Sequence, residues 1–368
     1  EEEEEEGMIY FISESVGNEK HAGSKARRDL ESLFLAKQYQ PIEIPAVSQK
    51  ATKHMFLLMV RQRKKYHLMK HAFSSIAPNS VLLIQYPCVE LSLFWFRSIK
   101  ELHRRGISVV LLVHDLDGIR FSARKDVKEK EVLYLETLQF AKADFGIVHN
   151  SRMKQYLVAK GISEAKLVEL GIFDYLISPY EPLRIAERMI GRTLPIVIAG
   201  NLSSGKASYV YHLPEGIAFN LYGVNYDGSQ TTANVHFKGA FEPDELPYVL
   251  SGSFGLVWDG DSIDCCSGGW GAYLRYNNPH KTSLYLASGL PVIIWKEAAL
   301  ATFVLDNKCG LVVDSLPQLA GLIASLSDAE YEALRRNADL VGKRLRGGYY
   351  TYHAINSCLA AHHETARS

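Results

Sequence analysis

The chain has 368 residues, with 41 Lys and Arg against 41 Asp and Glu, and it is 47% hydrophobic and 22% charged. These values are average for a globular protein. They exclude a disordered chain, a collagen-like repeat and a strongly basic protein with a nucleic acid partner. The length suits about two domains of ordinary size.

The first residues distort the charge balance. Residues 1–7 are six glutamates and a glycine, and we expect them to be a tail added to the natural chain; the alternative is a genuine acidic tail. Without those six glutamates, the 41 basic residues exceed the remaining 35 acidic ones by six. Met8 then leads into a strand pattern, not into a secretory signal.

Two further features indicate a cytoplasmic protein. No run of about 20 apolar residues is present, which predicts no membrane-spanning helix. The five cysteines are odd in number and lack metal-ligand spacing, so reduced thiols are expected. They are Cys88, Cys265, Cys266, Cys309 and Cys358.

The segment 44–89 has a strong charge bias. It contains no Asp or Glu, and seven lysines and arginines, which are Lys50, Lys53, Arg61, Arg63, Lys64, Lys65 and Lys70. A basic, amphipathic segment such as 55–69 can lie on the anionic inner face of the cell membrane. The alternative is the solvated face of a helix.

In chain order, the first half alternates short apolar runs with helical patterns. Strands are predicted at 9–13, 42–44, 81–85, 108–114, 145–149 and 166–170, and helices at 25–39, 91–105 and 128–142. This βαβ alternation predicts a parallel sheet with helices on both faces.

A second alternating series begins near Leu194. Strands are predicted at 194–199, 219–222, 235–238, 254–258, 292–294 and 310–312, and helices at 245–251, 280–288, 296–307, 317–325 and 328–345. The fold class is therefore α/β, with two Rossmann-like doubly wound domains facing across a cleft. The predicted domains are 8–180 and 181–345, followed by a helix at 346–368 that returns to the first domain. Ligands of such sheets bind beyond the carboxyl ends of the strands.

The segment 276–293 is the most informative. Pro279 suits the first turn of a helix, and Gly289 ends it. The backbone amides near His280, Lys281 and Thr282 would then point into the cleft, where they and the lysine charge attract a diphosphate. The alternative is an ordinary helix-strand unit with an incidental lysine.

The segment 198–206 is a turn of small residues after a strand. It allows the backbone to approach a ligand closely, and Lys206 could neutralise a phosphate. Its glycine spacing is not that of a Walker loop.

His114, Asp115 and Asp117 follow a buried strand of the first domain. A histidine and two carboxylates at the carboxyl end of a strand are placed for general-base work. The alternative is a loop-capping aspartate beside a satisfied histidine.

Two short D-x-D patterns occur, at Asp115 and Asp117 and at Asp259 and Asp261. Such carboxylate pairs can hold Mg²⁺ or Mn²⁺. Two matches in a chain of this length are close to chance, and the lysine and helix terminus near residue 281 can neutralise phosphate instead. We therefore expect no metal and no cofactor.

The loop at 13–29 follows the first strand and contains Gly23, Lys25 and Arg28. If it faces the cleft, these residues could contact a sugar or the acceptor. A plain surface loop is the alternative.

Together these segments resemble the bacterial galactofuranosyltransferases of O-antigen and capsule synthesis, in particular the β-1,6 type. More distantly, the sequence is similar to the streptococcal glucosyltransferase that extends glycans on serine-rich adhesins. The matching stretches are 23–29 (GSKARRD), 114–117 (HDLD), 172–176 (IFDYL), 199–203 (AGNLS), 221–226 (LYGVNY), 254–262 (FGLVWDGDS) and 277–286 (NNPHKTSLYL).

This resemblance implies the GT-B fold, with the donor bound mainly by the second domain. It implies UDP-galactofuranose as donor, a lipid-linked glycan as acceptor and inversion at the anomeric carbon. The sequence agrees independently on one point, because no acid occurs between Asp264 and Glu297. The E-x7-E glutamate pair of common retaining GT-B enzymes is therefore missing around this helix.

Within that family, we expect Asp115 to be the base, with Asp117 next and Asp29 and His21 in reserve. Lys281 and Lys206 would stabilise the leaving diphosphate. Other expected donor contacts are Asn201, Tyr222, Gly223, Asn225 and Asn278.

The alternatives are another UDP-hexose as donor, a metal-dependent transferase that uses Asp259 and Asp261, and a non-catalytic sugar-binding protein. A homo-oligomer is also possible on this sequence.

Overall fold

The computed structural model describes residues 7–14, 22–47, 54–120 and 129–367. Glu1 to Glu6, His21, Lys50 and Lys53 lie outside these described residues. Two six-stranded parallel sheets, each with helices packed on it, form the first and the second domain.

The first sheet has the strand order β2-β1-β3-β4-β5-β6. Its strands are β1 (Ile9–Ile12), β2 (Gln40–Ile42), β3 (Val81–Tyr86), β4 (Ser108–Val113), β5 (Phe145–Val148) and β6 (Leu167–Glu169). Its helices are α1 (Ala22–Ala36), α2 (Met55–Phe73), α3 (Ile99–Arg104), α4 (Asp117–Arg120), α5 (Glu129–Lys142) and α6 (Ser151–Ala159). The connecting segment carries α7 (Pro182–Ala186).

The second sheet has the order β12-β11-β10-β7-β8-β9. Its strands are β7 (Ile196–Asn201), β8 (Phe219–Val224), β9 (Val235–Gly239), β10 (Gly255–Val257), β11 (Val292–Trp295) and β12 (Gly310–Val313). The helices are α8 (Ser204–Ala207), α9 (Leu246–Val249), α10 (Gly268–Tyr273), α11 (His280–Ala287), α12 (Ala301–Asp306), α13 (Leu319–Ala324), α14 (Asp328–Arg346) and α15 (Tyr349–Arg367).

The strand orders locate the crevices of both domains. In an open parallel sheet, a crevice forms at the carboxyl edge where the strand order reverses. The reversal lies between β1 and β3 in the first domain and between β7 and β10 in the second. Residues that follow these four strands are therefore the first candidates for ligand contact.

The two domains share part of their cores. Tyr273 of the second domain is buried in a cluster of first-domain side chains, and Ile172 and Tyr175 pack into the second-domain core. The last helix, α15, packs against β5 and β6 and buries Ala354 and Ile355 there. The carboxylate of Asp174 accepts a 2.7 Å hydrogen bond from the backbone N–H of Thr351 at the start of this helix.

Each of the twelve predicted strands has a counterpart in the structure, and the differences are local. The second strand lies two residues earlier than predicted, at Gln40–Ile42. The helix predicted at 91–105 is shorter than expected: a 3-10 turn at Trp95–Ser98 leads into α3, and the buried Leu91 and Ser92 lie in the loop before it. No helix in the described part of the chain is long and apolar enough to cross a membrane.

Candidate active site

A cluster of charged side chains lies where the two domains meet. Asp115 follows β4 in the first domain, Lys206 follows β7, and Asp259 follows β10 beside the second-domain crevice. Burial lowers the pKa of Lys206, and the charges of Asp259, Lys281, Arg120 and Asp115 act on the same ammonium. The structure thus brings together Asp115, Lys206 and Lys281, three residues that the sequence analysis selected separately.

Asp115 is held by groups from both domains. Its Oδ1 accepts a 3.2 Å hydrogen bond from the Tyr273 hydroxyl, and its Oδ2 lies 3.2 Å from the Arg120 guanidinium. Burial raises the pKa of Asp115 above its usual value, and Arg120 and Tyr273 counteract this shift. The carboxylate stays one-third exposed, at 35%. It is therefore a fixed, accessible carboxylate with a raised proton affinity, as a general base requires.

Lys281 reaches the cluster from the first turn of α11. Its Nζ lies 2.8 Å from Asp259 Oδ1 and 3.1 Å from the Trp258 carbonyl oxygen. Both charged side chains are mostly buried, with 15% and 10% exposed. A second cation, Lys206, lies nearby, so the crevice holds two lysines and one paired carboxylate.

Trp270 forms an aromatic wall beside these charges. The Lys206 ammonium lies 4.9 Å from the centroid of its ring, and the Arg120 guanidinium lies 5.7 Å from it. The indole is 42% exposed. Sequence reasoning missed Trp270, Tyr273 and Arg120, although the glycines around Trp270 could have indicated a close approach of the backbone.

Glu136 supports the loop that carries the two aspartates. Its buried carboxylate accepts hydrogen bonds of 2.9 and 3.3 Å from the backbone N–H groups of Asp117 and Gly118. Burial and the nearby Asp117 raise the pKa of Glu136 to about 7. Burial also raises the pKa of Asp117, whose charge interacts with those of Arg120 and Asp115.

His114 does not have the role expected of it. Its Nε2 forms a 2.6 Å hydrogen bond with Gln85 Oε1, and its ring stacks on Phe173 with centroids 5.5 Å apart. Burial holds the pKa of His114 well below its usual value. This histidine is a packed, hydrogen-bonded residue, as the alternative interpretation proposed.

The start of α11 is covered by the first domain instead of facing an open cleft. Asn278 donates hydrogen bonds of 2.8 and 3.1 Å to the carbonyl oxygens of His149 and Gly171. Thr282 is fully buried, and the His280 ring lies 5.0 Å from that of Tyr175. The side chains of Asn278 and Thr282 are therefore buried against protein, and that the backbone amides of this turn bind a diphosphate stays a prediction.

Some polar atoms at this helix start remain unpaired. Within the described residues, Asn277 Oδ1, His280 Nε2 and Thr282 Oγ1 are buried and have no hydrogen-bond partner. Such atoms are uncommon in folded proteins. Burial lowers the pKa of His280 to about 3, so its imidazole is neutral at ordinary pH and offers a hydrogen bond but no charge.

Asn201, Gly223 and Asn225 lie together at the carboxyl ends of β7 and β8. Asn225 Nδ2 donates a 3.1 Å hydrogen bond to Asn201 Oδ1, and both residues are exposed. Gly223 has a φ of +156°, and a Cβ there would lie 1.8 Å from the Gly200 carbonyl oxygen. Only glycine fits this close approach.

Tyr222 was expected to contact the donor, but its hydroxyl bonds to the backbone of a neighbouring loop. The hydroxyl donates a 3.2 Å hydrogen bond to the Val249 carbonyl and accepts a 3.1 Å bond from the Ser251 N–H. Ser251 precedes β10, so the phenol points away from the carboxyl edge of the sheet.

The predicted acceptor residues separate into different environments. Gly23 lies in the first turn of α1, and Arg28 is exposed on this helix. Lys25 is buried, donating 2.6 and 2.7 Å hydrogen bonds to Asp29 Oδ1 and the Leu176 carbonyl. Lys25 therefore ties α1 to the interdomain segment instead of facing a ligand, and Asp29, the reserve base, is its partner.

Glu14 and Arg27 occupy the crevice of the first domain, and sequence reasoning did not select them. Glu14 follows β1 and forms an ion pair with Arg27, which donates a 2.8 Å hydrogen bond to the Pro87 carbonyl after β3. Burial raises the pKa of Glu14 to about 7. The charge of Arg27 also lowers the pKa of Asp115.

The second D-x-D pair does not form a joint carboxylate site. Asp259 faces Lys281, whereas Asp261 accepts a hydrogen bond from the Ser267 hydroxyl. Among the described residues, the three potential metal ligands that lie within 4.8 Å of one another are Glu14, Cys88 and Glu90.

Comparison with known sequences shows the family. The chain is 32% identical to the beta-1,6-galactofuranosyltransferase WbbI of Escherichia coli K12, over 93% of this chain and 96% of that protein. It belongs to the same glycosyltransferase family. Residues 9–172 match the family model "Glucosyltransferase 3-like, N-terminal domain" and residues 196–358 match the corresponding C-terminal domain. Glucosyltransferase 3 of Streptococcus parasanguinis is 24% identical over 74% of this chain and 76% of its own length.

Solved structures with the same architecture agree with this family. Sucrose-phosphate synthase from Thermosynechococcus elongatus superposes with a TM-score of 0.60 at 14% identity, covering 98% of this chain and 100% of that chain. WaaG, a glycosyltransferase involved in lipopolysaccharide biosynthesis, superposes with a TM-score of 0.54 at 12% identity. The match covers 93% of this chain and 98% of WaaG. The family member described here therefore has the GT-B fold and is a glycosyltransferase.

Proposed function

We propose that this glycosyltransferase moves galactofuranose from UDP-galactofuranose to a hydroxyl of a lipid-linked glycan in cell-surface polysaccharide synthesis, with inversion. The similarity to the Escherichia coli galactofuranosyltransferase over almost the whole of both chains carries the proposal. The charged cluster between the domains supports a nucleotide diphosphate as the leaving group.

Asp115 is the proposed base. It takes the proton of the acceptor hydroxyl while that oxygen forms a bond to the anomeric carbon. The bond from this carbon to the diphosphate breaks, and UDP leaves with the electron pair. The raised pKa of Asp115 makes its carboxylate a stronger base than a solvated aspartate, and Tyr273 and Arg120 keep it oriented.

Lys281 and Lys206 are proposed to stabilise the charge that grows on the diphosphate. Fixed cations in a partly buried site are effective because they need no reorganisation during the reaction. Because Lys281 already occupies one carboxylate of the second D-x-D pair, we propose a mechanism without a metal ion.

Glucosyl transfer is a second candidate. The family models and the streptococcal relatives carry the name glucosyltransferase 3. Transfer of either sugar releases the same leaving group, UDP. The charged cluster therefore does not distinguish between the two donors.

The test is incubation of the purified protein with UDP-galactofuranose, UDP-galactopyranose or UDP-glucose, each with galactosyl and glucosyl lipid acceptors. We expect a product with UDP-galactofuranose alone, read by mass, and a β-linkage in its NMR spectrum. A product formed only with UDP-glucose would show that the transferred sugar is glucose and not galactofuranose. No product with any donor, together with no UDP binding in a thermal-shift assay, would favour a sugar-binding protein.

A further inference from the structure

The first turns of α2 expose an unusual number of large apolar side chains. Met55, Phe56 and Met59 are 67%, 75% and 65% exposed, and Leu57 and Val60 are each 50% exposed. These residues are consecutive apart from Leu58, which is half-buried. They therefore surround the helix on all sides instead of forming one stripe. We call residues 55–60 the apolar tip.

The apolar tip projects beyond the carboxyl edge of the first sheet. Lys65 donates a 2.5 Å hydrogen bond to the Val89 carbonyl, after β3 ends. At the other end of the helix, Arg105, which precedes β4, donates a 3.0 Å bond to the Phe73 carbonyl. The helix thus runs antiparallel to the strands, and Phe56 lies nine positions before Lys65. At the usual rise per residue, Phe56 lies about 13 Å further out than Lys65, on the cleft side of the domain.

Basic residues follow directly behind the tip. Arg63 and Lys64 are exposed on the next turn, and the sequence has no Asp or Glu between Ile44 and Val89. Val89 and Leu93 are 54% and 51% exposed in the neighbouring loop, which joins α2 through a 2.9 Å hydrogen bond from the Leu93 N–H to Gln62 Oε1. We call Arg63 and Lys64 the basic collar.

We propose that the apolar tip inserts into an anionic lipid bilayer, with the basic collar at the level of the headgroups. Apolar side chains on all sides of a helix end suit entry by its end, whereas a helix lying flat needs one apolar face and one polar face. The sequence-based expectation of an amphipathic helix lying on the surface is therefore revised for residues 55–60. This inference holds for any transferred sugar.

The charge of the collar favours lipid over a second copy of this chain. Two copies related by a twofold axis would place the same patch against itself. Their collars would then repel each other, because this segment offers no acidic residue in compensation. An anionic leaflet attracts the same collar.

Vesicle co-sedimentation of the full chain tests the proposal. We expect binding to phosphatidylcholine vesicles that contain phosphatidylglycerol, and much weaker binding to pure phosphatidylcholine. Phe56→Ser with Met59→Ser should weaken binding at least about tenfold. Arg63→Gln with Lys64→Gln should weaken it roughly 25-fold, at about fivefold for each basic residue. Leu340→Ser, which changes an apolar residue that is 65% exposed on α14, is the matched control and should bind normally.

Insertion depth distinguishes end-on entry from flat binding. Bromine-labelled lipids should quench the added fluorescence of Phe56→Trp strongly and that of His67→Trp weakly. Equal quenching at both positions would overturn end-on insertion. No binding to either vesicle, or unchanged binding in both double variants, would overturn the membrane proposal. If the protein forms a dimer, and only the double variant Phe56→Ser with Met59→Ser dissociates it, then the apolar tip is a contact between two copies of this chain and not a membrane anchor.

Discussion

The hydroxyl of Tyr273, from the second domain, donates a 3.2 Å hydrogen bond to the Asp115 carboxylate of the first. The two residues are 158 positions apart in the sequence. The base proposed for one domain is thus oriented by the other, and the pair forms only when the two domains are packed as they are here.

Tyr273→Phe should therefore alter the titration of Asp115. The hydroxyl stabilises the ionised carboxylate, so its loss raises the pKa of Asp115 further. We expect the acidic limb of the kcat/KM profile to move to higher pH, with little change in UDP affinity. A lower kcat with an unmoved acidic limb would contradict the role of this hydrogen bond.

Asp115→Asn should lower kcat by about 10²- to 10⁴-fold, because the amide cannot take a proton. UDP affinity, measured by calorimetry, should stay near the wild-type value. Asp306→Asn, at an exposed position of α12 outside the site, is the matched control. Near-normal turnover in Asp115→Asn would move the role of base to Asp117, the second candidate, with Glu14 the next to test.

Lys281→Ala should weaken UDP binding by about tenfold or more, because a cation is removed from the diphosphate site. It also leaves the largely buried Asp259 carboxylate without its partner, which should cost about 1–3 kcal/mol of stability. Lys281→Ala combined with Asp259→Asn separates the two effects. The double variant should regain stability and still bind UDP weakly. The control Lys296→Ala removes an exposed lysine. If the stabilised double variant binds UDP with normal affinity, Lys281 does not contribute to donor binding.

Glu136→Gln should change how stability depends on pH. The pKa of this carboxyl is raised from 4.5 to about 7 on folding. Between these values, the folded protein binds more protons at this site than the unfolded chain does. The free energy of unfolding therefore falls as pH rises through this window. Glu136→Gln should flatten that slope in urea denaturation at about pH 5 and about pH 7, and the exposed Glu187→Gln should not. Parallel slopes for wild type and Glu136→Gln would contradict the raised pKa.

Local patterns in the sequence were enough for the general form of the fold. Short apolar runs separated by helical patterns predicted twelve parallel strands in two sheets, and Pro279 and Gly289 predicted where α11 begins and ends. These features depend on backbone propensities and on a strand or helix period, which neighbouring residues determine. The predicted strand ends also located Asp115, Lys206 and Asp259 at the carboxyl edges of their sheets, where the structure has them.

The partners of these residues were decided by tertiary structure. His114 and Asn278 were expected to face a ligand, yet the packing of the two domains gives both of them protein partners. Glu14 became a candidate only because Arg27 and the end of β3 lie beside it. By itself, then, the sequence determined the elements and the edges at which chemistry is possible. Which side chains remain available there depends on contacts between distant segments, because burial and hydrogen bonding are fixed by how the domains pack and not by residue type or spacing.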